Sequence, residues 1–140
     1  IISYHTLGMF VFSPILGRFV DKVGSKKVSI TGGFILLISC ICALNTSDIV
    51  ILHLSLFLLG LGWNFNFVSI SSEISKYSIE KNINLNIKSD SFVFVGSVFA
   101  QSSLGLTYTL IGFEGLVIFG TLAAIFLLFN LVRLSSKLLT

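Results

Sequence analysis

Long apolar runs separated by short polar breaks set the rhythm of this chain, and that rhythm predicts its elements. The runs cover residues 1–17, 28–45, 49–72, 92–111 and 115–133. Each approaches the roughly 20 apolar residues that a helix needs to cross about 30 Å of hydrocarbon. The pattern therefore predicts an all-α polytopic membrane helix bundle of five spans. The first run is short and holds Pro14, which a membrane helix tolerates as a kink when neighbours satisfy the freed backbone groups. The breaks alternate in character. Residues 18–27 and 73–91 form long charged connections, whereas 46–48 and 112–114 are tight and nearly uncharged.

Charge assigns the two sides. Arg18, Lys22, Lys26, Lys27, Lys76, Lys81, Lys88, Arg133 and Lys137 all fall on one side, and the opposite connections hold only Asp48 and Glu114. The positive-inside rule places the basic side in the cytoplasm, with the amino end outside and the carboxyl end inside. Composition points the same way. Hydrophobic residues make up 54% of the chain and charged residues 11%, against about 25% charged in a typical soluble domain. Such a chain cannot cover itself with a water-compatible surface, so the lipid bilayer is its expected surroundings. The net charge of +3 belongs at the headgroups, and nucleic acid is not an expected partner. The chain opens at Ile1 inside an apolar run without the basic segment or cleavage site of a signal peptide. It is expected to be a piece of a longer protein.

The stretch Gly17-Arg18-Phe19-Val20-Asp21-Lys22-Val23-Gly24-Ser25-Lys26-Lys27 sets four basic residues and one acid between two apolar runs. Gly17 and Gly24 permit a tight reversal, and Asp21 can face the positive end of a helix. The spacing resembles the loop signature of the major facilitator superfamily, Gly-x-x-x-Asp-(Arg/Lys)-x-Gly-(Arg/Lys)-(Arg/Lys). The segments HTLGMF (5–10) and GLGWNFNF (60–67) look like a bacterial branch of that family, in its carboxyl-terminal half. The resemblance covers essentially the whole chain, as spans eight to twelve of a twelve-helix facilitator fold.

That resemblance implies a secondary active transporter in the bacterial inner membrane, moving a small-molecule substrate by alternating access. It implies a missing amino-terminal half of the same chain as partner and a proton or cation as candidate coupling ion. It also implies an inner gate formed by Gly17, Arg18, Asp21, Lys22, Gly24, Lys26 and Lys27. Asp21 would meet a helix end from the other half, and Glu73 would pair with Arg18 or Lys26. Two departures stand out: Ser25 occupies a usually basic position, and residues 76–90 lack the arginines expected there.

Polar residues inside the runs supply the remaining candidates. No Asp, Glu, Lys or Arg lies near a midplane, where one charge costs about 2.5–3.5 kcal/mol on the mildest scale. His5 is a candidate cavity residue or a helix-packing one. Asn64 and Asn66 point about 200° apart on a helix, so one is expected to bond a neighbouring helix and the other to face a substrate path. Trp63 lies too deep for an interfacial anchor and could line the cavity or pack in lipid. Asp90, Ser97, Gln101, Gly105 and Tyr108 share one helical face. That face is either a packing seam, which Gly96 and Ala100 nearby would favour, or a polar wall through which Gln101 and Tyr108 reach the cavity.

Other chemistry is not signalled. Cys40 and Cys42 diverge on a helix and have no nearby His or Cys partner, so neither a disulfide nor a metal site is expected. Asn45-Thr46-Ser47 matches a glycosylation acceptor but carries little weight. No His-Glu-x-x-His, Gly-x-Ser-x-Gly or Gly-x-x-x-x-Gly-Lys-(Ser/Thr) pattern occurs, so no catalytic residue, metal or cofactor is assigned. Two other function classes stay open: a membrane-embedded enzyme whose catalytic residues lie elsewhere in the protein, and a non-transporting membrane subunit.

Overall fold

The first apolar run does not make one helix. In the computed structural model, which describes residues 2–44 and 48–137 and the side chains of 3–44 and 48–133, it forms α1 (Ile2–Phe10) and α2 (Ser13–Val23). Pro14 sits in the first turn of α2, where its missing N–H costs least. The Ser13 hydroxyl sits at the break, donating to Asn64 Oδ1 at 3.0 Å, with the Met9 carbonyl 3.5 Å away. The kink thus has a named cause.

Two expected connections are mostly helical. α2 continues through Val23, a single residue reverses the chain, and α3 (Ser25–Leu44) begins at once. That residue is Gly24, at φ +93° with open space around it, so conformation rather than room requires glycine there. α4 runs from Ile49 to Lys81, about 50 Å at 1.5 Å per residue, which carries its last turns well past the hydrocarbon. Asp48 caps its start by accepting from Val50 N–H at 2.7 Å. Asn82, in the left-handed region, ends it, and Ser78 Oγ accepts from Leu85 N–H at 3.1 Å. Asn45, Thr46 and Ser47 lie outside the described residues.

α5 spans Asn86–Lys137, about 78 Å if straight, more than twice a bilayer core. Gly112, at φ +69° and ψ −176°, breaks it into two arms. The first arm starts beside α4, where Asn86 Nδ2 donates to Ser75 Oγ at 3.2 Å. The second returns along α3, with Leu128 against Gly33.

Helix contact rests on small and polar residues. α4 packs on α1, α2 and α3, and the second arm of α5 packs on α3. At the α1–α4 crossing a side chain on Gly60 would strike the His5 carbonyl, and one on Gly8 would strike the Phe57 carbonyl. At the α3–α4 crossing a Cβ on Gly62 would lie 2.9 Å from the Gly32 carbonyl. Ser39 and Ser55 donate to each other's carbonyl oxygens at 2.8 and 2.9 Å. Buried polar residues such as Ser29, Ser39, Ser55, Asn64, Asn66 and Ser69 sit inside, while large apolar residues such as Phe34, Ile38, Phe92 and Phe126 face outward. That inversion suits lipid, where association depends on close packing and interhelical hydrogen bonds rather than on burying apolar surface.

Candidate functional site

The bundle has two chemically distinct ends. One gathers the start of α1, the end of α3, the start of α4 and Gly112. The other gathers Gly24, the end of α4 and the end of α5. The basic residues collect at the Gly24 end: Arg18 and Lys22 on α2, Lys26 and Lys27 on α3, Lys76 and Lys81 on α4, and Lys88 at the start of α5.

Within that group the structure brings together only part of the expected gate. Arg18, Asp21 and Lys22 are exposed and ride on the last turns of α2 rather than on a loop. Asp21 therefore lies at the negative end of its own helix dipole, which disfavours it, while Lys22 is favoured there. Lys26 and Glu73 border one cavity of about 200 Å³, together with Ser25, Ser29 and Ser69. No ion pair joins Glu73 to Lys26 or Arg18 among the described residues. Gly17 has open space around it, and Lys27 is exposed on the first turn of α3.

The two asparagines of α4 behave alike. Asn64, 1% exposed, accepts from Ser13 Oγ at 3.0 Å and reaches the Gly8 carbonyl at 3.5 Å, holding α4 to the α1–α2 kink. Asn66 accepts from Ser29 Oγ at 2.7 Å and donates to its own helix at Gly62 O, at 2.9 Å, holding α4 to α3. The expected division, one asparagine bonding a neighbour and one facing a path, is replaced by two interhelix clamps. Their 200° separation is the reason, since it points each at a different neighbour. Trp63 is half-buried and stacks on Phe67 with centroids 4.8 Å apart.

His5 is half-buried, with Nδ1 at 3.2 Å from the Leu56 carbonyl, a helix-packing position on α4. The sequence reading passes over His53, the second histidine inside a span. Its ring lies 5.0 Å from Tyr4 in an edge-to-face contact. His53 also borders an apolar cavity of about 420 Å³ near Gly112, with Cys40, Leu56, Phe113 and Gly120. The reading also passes over the serines that bond helix to helix: Ser13, Ser29, Ser39 and Ser55. Their signal is a hydroxyl near Pro14 and small polar residues inside otherwise apolar runs.

Gln101 and Tyr108 stand on the exposed first arm of α5, as do Asp90, Ser97 and Gly105. Gly96 has no atom within 4 Å of an added Cβ, so the small-residue pair there meets no helix among the described residues. No group of three or more His, Cys, Asp or Glu able to hold a metal occurs among the described residues.

Comparison with known proteins follows the same lines. The Major Facilitator Superfamily model matches residues 1–138. The riboflavin transporter RfnT of Brucella anthropi is 27% identical over 101 residues, 72% of this chain and 25% of that protein. Two uncharacterised transporters of Bacillus subtilis named for the same superfamily, YdeG and YddS, are 34% and 37% identical over 71 residues. Those matches cover 49% of this chain and 16% of each relative. The chain thus spans about a quarter or less of the length of these relatives. No solved structure matches it.

Proposed function

The chain belongs to the Major Facilitator Superfamily, and on that premise we propose that it forms part of a secondary transporter carrying a small solute across the membrane by alternating access. The observation that carries the mechanism is the position of Asp21. Its carboxylate is exposed on the last turn of α2, where its own helix dipole works against it. Such a group gains most by leaving its own helix end and facing the positive start of another. Lys22 beside it and Lys26 and Glu73 on the neighbouring helices make the Gly24 end a charged latch. Exposed pairs of this kind contribute about 0–1 kcal/mol each, weak enough to break in each transport cycle.

Orientation follows from charge. The basic Gly24 end faces the cytoplasm by the positive-inside rule, so the start of α1 faces outward. Helices packed through glycine backbones and small hydroxyls move as one body, which is what rocking of one half against the other requires. Asn64 and Asn66 hold that body together. Gln101 and Tyr108 are polar side chains on the exposed arm, open to a solute or to another part of the protein. Riboflavin is the first solute to test, because it names the activity of one relative.

The test is uptake by the complete protein in whole cells, with membrane abundance measured alongside. Asp21→Asn keeps the shape and removes the charge, and is expected to lower uptake by up to about fivefold, as the loss of about 1 kcal/mol implies, without lowering abundance. Uptake by Asp21→Asn at the wild-type rate would remove the latch from the mechanism.

A further inference from the structure

The break between α1 and α2 leaves a backbone acceptor inside the membrane. Val11 and Phe12 separate the two helices, and the helical donor for the Phe10 carbonyl would be the N–H of residue 14. That residue is Pro14, which has none. No side chain among the described residues donates to this carbonyl. Depth follows from α4, because Gly8 packs against Leu61 and Ser13 bonds Asn64. Leu61 is about 18 Å along α4 from its start at Ile49, at 1.5 Å per residue. The break therefore lies deep inside a hydrocarbon core about 30 Å thick.

The residue that carries the freed carbonyl faces away from the bundle. Phe10 stands about 160° around α1 from Gly8, the residue pressed on α4. Phe10 is 59% exposed and Val11 55%, so no described helix covers the break on this side. Ser3 and Thr6 lie within about 40° of Phe10 around the helix. With Leu7, Phe10 and Val11 they line an open groove of about 480 Å³ that runs along α1 to the break. Irregular backbone at membrane depth is not found against lipid. It occurs where protein buries it or where it lines a water-filled cavity. The described helices leave this stretch unburied, and its groove carries two hydroxyls and no charged side chain.

We propose that this face of α1 lines a water-filled path from the outer end of the bundle into the membrane interior, and that the Phe10 carbonyl is the point where the path accepts an N–H or O–H donor from the solute. A carbonyl only accepts, so the solute class is a small molecule that offers a hydrogen-bond donor. Secondary transporters place their binding sites at interrupted helices near the middle of the membrane. Transport is the premise for calling the occupant a solute; the water path stands on the break alone.

The test is thiol access in the complete protein, with Cys40 and Cys42 replaced by serine. Thr6→Cys, Val11→Cys and Phe34→Cys are each treated with the membrane-impermeant reagent trimethylammonium-ethyl methanethiosulfonate, in right-side-out and inside-out vesicles. Phe34 is 55% exposed on the outward face of α3 beside the Gly32–Gly62 contact, which makes it the lipid-facing control at similar depth. Thr6→Cys and Val11→Cys are expected to react about tenfold faster or more than Phe34→Cys, from one side or both. A rate as slow as that of Phe34→Cys at either position overturns the path, whether lipid or another part of the protein covers the face. Aminoethyl methanethiosulfonate then reads the acceptor, since its ammonium has the same charge and adds N–H donors. Relative to the trimethylammonium reagent it should react about threefold better or more at Val11→Cys than at Thr6→Cys. An equal ratio overturns the role of the Phe10 carbonyl. Reagent access needs no transport. A protein that reacts as expected but carries no solute keeps the path and loses the transport reading, whereas one that takes up riboflavin without reacting loses the path alone.

Discussion

Asn66 offers the most direct check on how this bundle holds together. Asn66→Leu keeps much of the side-chain volume and removes both amide bonds, to Ser29 at 2.7 Å and to Gly62 at 2.9 Å. Interhelical hydrogen bonds in membrane proteins average about 0.6 kcal/mol, with a maximum near 1.7. The Ser29 bond is short, buried at both ends and links two helices, so its coupling should lie in the upper half of that range, about 1–1.7 kcal/mol. The substitution also leaves the Ser29 hydroxyl in search of a new acceptor. Overpacking adds to the total, because an added Cβ on Gly32 would already lie 2.7 Å from Asn66 Nδ2. A branched side chain has little room to shift there.

The assay is a double-mutant cycle of Asn66→Leu and Ser29→Ala, read by equilibrium unfolding of the purified complete protein in mild detergent. The cycle isolates the pair from the overpacking cost, which belongs to Asn66→Leu alone. Asn130→Leu is the control, since that amide only returns to the Phe126 carbonyl of its own helix. It should cost little. A coupling near zero, with the two single costs simply adding, would refute the view that Asn66 is a clamp. Asn66 would then be free for another role, including contact with a solute.

Four further outcomes follow from particular contacts. Gly60→Ala should destabilise by about 1–3 kcal/mol, as overpacking does, because its added carbon meets the His5 carbonyl; unfolding of the same protein reads this. Gly112→Ala should cost about 1–3 kcal/mol, because φ +69° with ψ −176° is a backbone region essentially confined to glycine, without any steric clash, since nothing lies within 4 Å. Asn82→Gly, at φ +51° in the helix-ending position, should change stability by only a few tenths of a kcal/mol. In a protein lacking Cys40 and Cys42, Asn84→Cys should react with a membrane-impermeant thiol reagent only from the cytoplasmic side. Reaction from outside would reverse the proposed orientation.

How much of this was legible in the sequence depends on the range of the physics involved. Apolar run length and charge side are summed over many residues, and they carry the all-helical membrane-bundle class. Helix ends are set by one or two residues, which is why the charged stretches at 18–27 and 73–91 read as loops. In the structure a single Gly24 and the four residues 82–85 suffice to turn the chain. Lys and Glu near a helix end extend it into the headgroups as readily as they mark its limit.

The asparagines show the same limit at the site. Periodicity correctly separates Asn64 from Asn66 around α4, but it cannot say what each one meets, because the partner serines are 51 and 37 residues away in sequence. Their donors, Ser13 and Ser29, look unremarkable alone. Ser25 is the converse case. Its departure from a basic residue was visible in the sequence as a missing charge, yet only the fold shows that the missing side chain leaves a cavity rather than a filled surface. A substitution that removes a charge from a surface leaves water in its place. Here the hydroxyl that replaces it is buried beside a largely apolar cavity bordered by Lys26 and Glu73, and it has no hydrogen-bond partner. That difference is three-dimensional, and it makes position 25 chemically interesting rather than merely divergent.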